Sequence, residues 1–139
     1  MWEYQRSLDT TAGPEAIWRL FADVDGWRAW NADIEKVAID GPFAVGSEIE
    51  MTPAGQDPVR LRLVEVVEDE VFVDEADLGD VVVRTAHRLE RLDGGGTRVT
   101  YRMEITGPAA DEMGPQVGPA ITADFPETMA ALVALALAR

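Results

Sequence analysis

His87 is the only histidine in this 139-residue chain, and there is no cysteine. The chemistry open to such a sequence is narrow. Disulfide frameworks, thiolate catalysis and Cys-ligated zinc or iron–sulfur sites are excluded. A transition-metal site would need carboxylates almost alone, so no metal and no cofactor are expected. What remains is proton transfer and hydrogen bonding. His87 alternates in phase with Val81, Val83, Thr85 and Leu89, so it faces inward if they do. An inward His87 would orient a ligand oxygen or act as a general acid/base near neutral pH. The other reading is a histidine hydrogen-bonded to a neighbour in the core or at the sheet edge. Tyr101 is in phase with Val99, Met103 and Ile105 on a neighbouring segment. Its hydroxyl needs a partner when buried, and a ligand carbonyl, a water or His87 itself could supply one. His87 and Tyr101 are therefore the two catalytic candidates. Thr85, and Glu50 or Arg62, complete the polar groups considered for the interior.

The remaining motifs carry less. Glu48 and Glu50 share one face of a segment, as do Asp74 and Ala76 on another, and solvated acids account for them. Asp23-Val24-Asp25-Gly26 fails as a calcium loop, because the first ligand position would be Phe21 and the last Ala32. Gly94-Gly95-Gly96 leads into a strand pattern, so it is a hairpin turn and not a phosphate loop. No metalloprotease, serine-hydrolase or Walker pattern occurs.

The elements that must position these residues can be read from periodicity. Residues 2–9 alternate as a first strand. Pro14 and Glu15 suit a helix start, and Ile17, Leu20, Phe21 and Val24 follow the helical spacing. Trp27–Asn31 reads as a second short helical piece. From Ile34 to Ile105 the period is two, which gives six more strands at about 34–40, 46–53, 58–68, 70–77, 80–92 and 97–106. Short Gly- and Pro-containing turns between them imply antiparallel hairpins. Val71, Val73, Val81, Val83, Val99, Met103 and Ile105 are taken as the inward positions. Residues 107–119 read as a Gly- and Pro-rich loop. The longest helix is expected at about 120–138, bent or divided at Pro126. The order predicts an α+β domain over residues 1–139: a curved seven-stranded antiparallel sheet around a long C-terminal helix, with two short helices after the first strand. Outward arginines between Arg84 and Arg102 are expected to face the outward acids between Glu65 and Asp80 across the ladder.

Hydrophobic residues make up 47% of the chain, and the formal net charge is −14. Such a chain repels phosphate backbones and anionic lipid, so neither a nucleic-acid binder nor a peripheral membrane protein is expected. Met1–Gln5 lacks a basic-then-apolar leader pattern. The longest apolar run, Met129–Ala138, is shorter than the roughly 20 residues of a membrane span. A cytoplasmic protein without membrane insertion is the expectation.

The chain resembles the START/Bet v 1-like superfamily of helix-grip proteins, and within it the polyketide cyclase/dehydrase-like branch. The resemblance is carried by Pro14-Glu15-Ala16-Ile17-Trp18 with Leu20-Phe21-Ala22-Asp23, by Trp27-Arg28-Ala29-Trp30, and by Ile34-Glu35-Lys36-Val37. It continues in the Val45-Gly46 turn, in His87-Arg88-Leu89 with Gly96-Thr97-Arg98-Val99-Thr100, and in the tail helix with Leu132. It implies an internal apolar cavity that takes a lipid, a polyketide or another hydrophobic small molecule. Trp27 and Trp30 then lie near the cavity mouth or in the short-helix plug. Met51, Phe72, Phe125 and Met129 become candidate walls, with Thr85, His87, Tyr101 and Met103 beside them. Access is expected through loop 107–119 and the region near Gly41–Gly46. The same resemblance admits a cyclase- or aromatase-like enzyme using that cavity, and a partner-docking or co-chaperone-type module. A homodimer stays open.

Overall fold

The computed structural model describes every residue, Met1–Arg139. Strand β1 (Trp2–Thr10) leads into helix α1 (Pro14–Ala22) and a short 3-10 helix (Val24–Ala29). Six strands follow: β2 (Ile34–Asp40), β3 (Glu48–Pro53), β4 (Val59–Val67), β5 (Val71–Asp77), β6 (Val82–Leu92) and β7 (Gly96–Thr106). They form one antiparallel sheet in the order β1-β7-β6-β5-β4-β3-β2. Hairpins alone build β2 to β7. β1 closes on β7 in an unbroken register from Trp2 opposite Ile105 to Thr10 opposite Thr97. This is the expected helix-grip order.

The C-terminal part departs from expectation. The segment read as a loop over 107–119 is mostly helix α2 (Ala110–Thr122), and α3 (Phe125–Ala138) follows after a break at Ala123–Asp124. Pro126 lies in the first turn of α3 rather than inside a longer helix, where its missing N–H removes no bond. Pro115 and Pro119 do lie inside α2, and Gly114 and Gly118 lower its intrinsic helicity further. Packing overrides that cost. A Cβ at Gly114 would sit 2.4 Å from the Trp2 Cβ, and one at Gly118 would sit 2.6 Å from the Trp2 ring. The two glycines form the seat for the Trp2 indole, so the stretch expected as a loop is a docked helix. By length and composition Ala110–Ala138 would be long and apolar enough to cross a membrane; here Met129, Leu132 and Ala136 of that stretch are buried in the core.

The phase of β5 also differs. Phe72, Asp74 and Ala76 face the helices, and Val71 and Val73 lie on the other face. All five are buried, but Phe72 and Ala76 join the main core cluster and the two valines do not. Val71 is flanked by Val67 and Arg88, and Val73 by Glu65 and Ala86, across the neighbouring strands. A register shift between Leu63 and Glu65 in β4 accompanies this change. The outward charge ladder forms only in part with the expected partners: Arg84 meets Glu75 at 3.8 Å, whereas Arg98 meets Asp9 at 2.8 Å and Arg102 meets Glu3 at 3.0 Å, both acids on β1.

Candidate functional site

The concave face of the sheet carries a continuous aromatic assembly, because each inward strand position in its centre is a ring. Phe72 on β5, His87 on β6 and Tyr101 on β7 stand in one row of the ladder. The imidazole stacks on Phe72 with centroids 3.9 Å apart and planes 5° apart. Tyr101 meets it edge-on at 4.6 Å. From above, α1 lowers Phe21 onto this row. Phe21 contacts Phe72 at 4.9 Å, His87 at 5.9 Å, Tyr101 at 6.5 Å and Trp30 at 6.2 Å. Phe125 at the start of α3 closes the Tyr101 end at 5.5 Å, and Phe43 from the β2–β3 connection closes the Phe72 end at 5.2 Å.

Most predicted wall residues lie here. Trp30, Phe72, Thr85, Tyr101, Met103 and Met129 are buried; Met51, His87 and Phe125 keep partial accessibility. Glu50 and Arg62 do not belong to the site. Both are exposed, and Glu50 approaches Arg60 at 3.7 Å on the outside. The expected hollow is largely occupied by rings, with Phe21 at its centre and fully buried. Two depressions, of about 340 and 280 Å³, lie elsewhere on the sheet: one among Ser7, Arg88 and Arg98, the other among Ile39, Glu48 and Arg60.

The polar groups within this apolar shell set its chemistry. The His87 Nδ1–H donates to the Phe72 carbonyl at 3.2 Å, which leaves Nε2 as an acceptor. Burial pushes the imidazole pKa down to about 3, so His87 is neutral near neutral pH and is no acid/base there. The Trp27 indole N–H donates to the Phe21 carbonyl at 2.9 Å. By contrast, the Trp30 Nε1 and the Tyr101 hydroxyl are buried with no hydrogen-bond partner. Burial raises the Tyr101 pKa, and the nearby negative charges of Asp74 and Asp124 raise it further. Tyr101 is therefore a donor at any ordinary pH.

Asp74, read from sequence as solvated, is only 6% exposed. Burial, with the like charge of Glu75 beside it, pushes its pKa up to about 7. It faces Thr85 across the β5–β6 ladder, one row from His87. Asp124, at the α2–α3 junction, is raised to about 6 by partial burial and by the neighbouring Asp33 carboxyl. No cluster of three metal-ligating side chains is present.

The family model described as polyketide cyclase / dehydrase and lipid transport matches residues 1–137. The chain belongs to that family. No curated protein matches this family member in sequence. Its fold is shared with solved structures of low identity. Truncated norcoclaurine synthase from Thalictrum flavum superposes with a TM-score of 0.79 at 16% identity, over 99% of this chain and 94% of that one. Ara h 8.0201 gives 0.77 at 13% identity, over 99% and 98%. A Nitrosomonas europaea protein gives 0.75 at 14% identity, over 96% and 93%. The helix-grip, Bet v 1-like architecture of this polyketide cyclase/dehydrase-family chain is thus shared along nearly its whole length.

Within that architecture, sequence reasoning missed Asp74, Phe43 and the central place of Phe21. Alternation could have found Asp74, since it is in phase with Phe72, but the valine pair pointed the other way. Phe43 sits in an aperiodic connection and gave no signal.

Proposed function

We propose that this protein binds a hydrophobic small molecule carrying an oxygen acceptor in the space between the concave sheet face and helices α1 and α3. The observation that carries the reading is the pair of buried, unpartnered donors, Tyr101 OH and Trp30 Nε1. A buried donor without a partner costs about 1–3 kcal/mol. Both residues border Phe21, so an acceptor arriving where Phe21 now lies would reach two waiting hydrogen bonds. The partial accessibility of His87 and Phe125 marks residual space beside them. A ligand's rings would replace Phe21 as α1 moves, and the apolar transfer term of about 25 cal/mol per Å², less ordering costs, would drive binding. The family description, which names both polyketide cyclases and lipid transport, supports this class of ligand. So does the fold shared with norcoclaurine synthase, which has been solved with dopamine and hydroxybenzaldehyde.

The test is thermal unfolding with fatty acids, polycyclic hydrocarbons and their ketone or phenol counterparts. Ligand at one hundred times Kd adds about 2.7 kcal/mol of stability. Oxygenated ligands should shift the melting temperature more than the parent hydrocarbons, and Tyr101→Phe should remove that difference. Absence of any shift across the panel, with unchanged tryptophan fluorescence, refutes the proposal.

A further inference from the structure

We infer that the outer face of the sheet carries a second binding site, a depression over Thr100 that takes a small phosphate monoester between Arg88, Arg98 and Arg102. It lies on the opposite side of the sheet from the aromatic assembly and does not depend on the ligand proposed there. The depression measures about 340 Å³, and the ladder explains its form. Thr100 on β7 stands opposite Arg88 on β6 and opposite Ser7 on β1. Arg98 and Arg102 lie two residues to either side of it on β7. They therefore share its face, each about 7 Å away along the strand. Thr100 thus has an arginine on three sides and a serine on the fourth. Ser7, Ala86 and Thr100 are the short side chains of the lining and form its floor, while the long guanidinium side chains form the wall.

The donors are held in place and only partly spent. Arg98 grips Asp9 through Nε at 2.8 Å and one terminal nitrogen at 3.1 Å, which leaves its other terminal nitrogen unengaged. Arg102 donates through Nε to Glu104 at 3.1 Å and through one terminal nitrogen to the Gln5 Oε1 at 3.3 Å. Its other terminal nitrogen lies 3.0 Å from Glu3, so each terminal nitrogen keeps one N–H. Arg88 makes no ion pair, and it is the one arginine of the three whose charge no carboxylate already matches. The floor adds a further donor. The Ser7 and Thr100 hydroxyls bond each other at 2.9 Å, which spends one hydroxyl hydrogen and leaves the other.

Guanidinium groups approaching from three directions suit the tetrahedral oxygens of a phosphoryl group, which arginine grips with paired N–H donors. Asp9, Glu3 and Glu104 do not line the depression; Glu90 does, opposite Arg98. These acids set the size of the occupant. One phosphate group meets Arg88 and the free N–H groups, whereas a nucleic-acid backbone would also lie against Glu90, Asp9 and Glu3 in a chain of net charge −14, and would be repelled.

The probe is glycerol 3-phosphate, titrated into the intact chain at constant ionic strength with chloride as the balancing anion. Arginine Nε–H signals are followed by NMR. Those of Arg88, Arg98 and Arg102 should shift along one saturable curve. Arg60, in the separate depression with Glu48 and Glu50, should stay fixed, and glycerol should move none of them. Arg88→Gln should weaken binding about tenfold. Glu90→Gln removes the one acid of the lining and should tighten binding about two- to fivefold. Should Arg88→Gln fail to fold, Glu90→Gln decides alone. Shifts that do not saturate, shifts that chloride reproduces, an Arg88→Gln protein that binds as well as the native one, or a Glu90→Gln protein of unchanged affinity each overturn the inference.

Discussion

Replacing Asp74 by Asn should make the protein more stable, and only above acidic pH. The folded carboxyl has its pKa raised from 3.8 to about 7. A group with a raised acid pKa binds its proton more tightly folded than unfolded. Its contribution is therefore fully favourable below about pH 4 and is lost as pH rises to 7. At 1.36 kcal/mol per pH unit the loss reaches about 4 kcal/mol. His87 has the opposite slope. Its pKa falls from 6.5 to about 3 on folding, so acidification through that interval destabilises by at most about 5 kcal/mol, reduced by the accessibility the ring retains. Between pH 4 and 6.5 the two slopes oppose each other, and the native protein should show little net dependence from this pair. Asp74→Asn removes one of them. Urea unfolding followed by tryptophan fluorescence from pH 4 to pH 8.5 should show near-equal stability of variant and native protein at pH 4. At pH 8 the variant should gain up to about 4 kcal/mol, or roughly 10–15 °C in melting temperature. In the variant, stability should climb with pH up to about 6.5. A gain of equal size at both ends, or a loss at pH 8, would refute the picture of an unpaired buried carboxyl.

Other perturbations probe the packing. Phe21→Ala should cost about 3–5 kcal/mol in urea unfolding, and the vacated volume between Trp30 and Tyr101 should bind indole or phenol, seen as a rise in melting temperature larger than in the native protein. Gly118→Ala places a methyl group only 2.6 Å from the Trp2 ring and should cost about 1–3 kcal/mol, with loss of far-ultraviolet helical signal. Arg98→Ala, by contrast, removes an exposed, solvent-screened pair with Asp9 and should leave the urea midpoint essentially unchanged.

The strands were legible because one face of the sheet meets the core and the other meets water, so period two survives in β1, β6 and β7. His87 and Tyr101 could be placed on one face from that phase alone, and the structure sets them side by side. In β5 the signal failed for a definable reason. Both faces are buried, and when valines cover the outer face the alternation no longer reports which side is the core. Asp74 was hidden by that ambiguity. Helix α2 was hidden differently. Its prolines and glycines are loop signals by local propensity, and only the distant Trp2 ring reverses their meaning. Accessibility of the interior was illegible too, since whether Phe21 fills a space depends on the tilt of α1 and not on residue type.

The seating of Trp2 on Gly114 and Gly118 has a consequence for the order of assembly. A segment carrying two prolines and two glycines in thirteen residues has little tendency to coil into a helix alone, so α2 should be ordered only after the opposite end of the chain has arrived. Backbone amides of Met113–Val117 would then report, by their hydrogen-exchange rates, how often the first strand peels from the sheet, and loosening at one terminus would be felt at the other without any signal crossing the core.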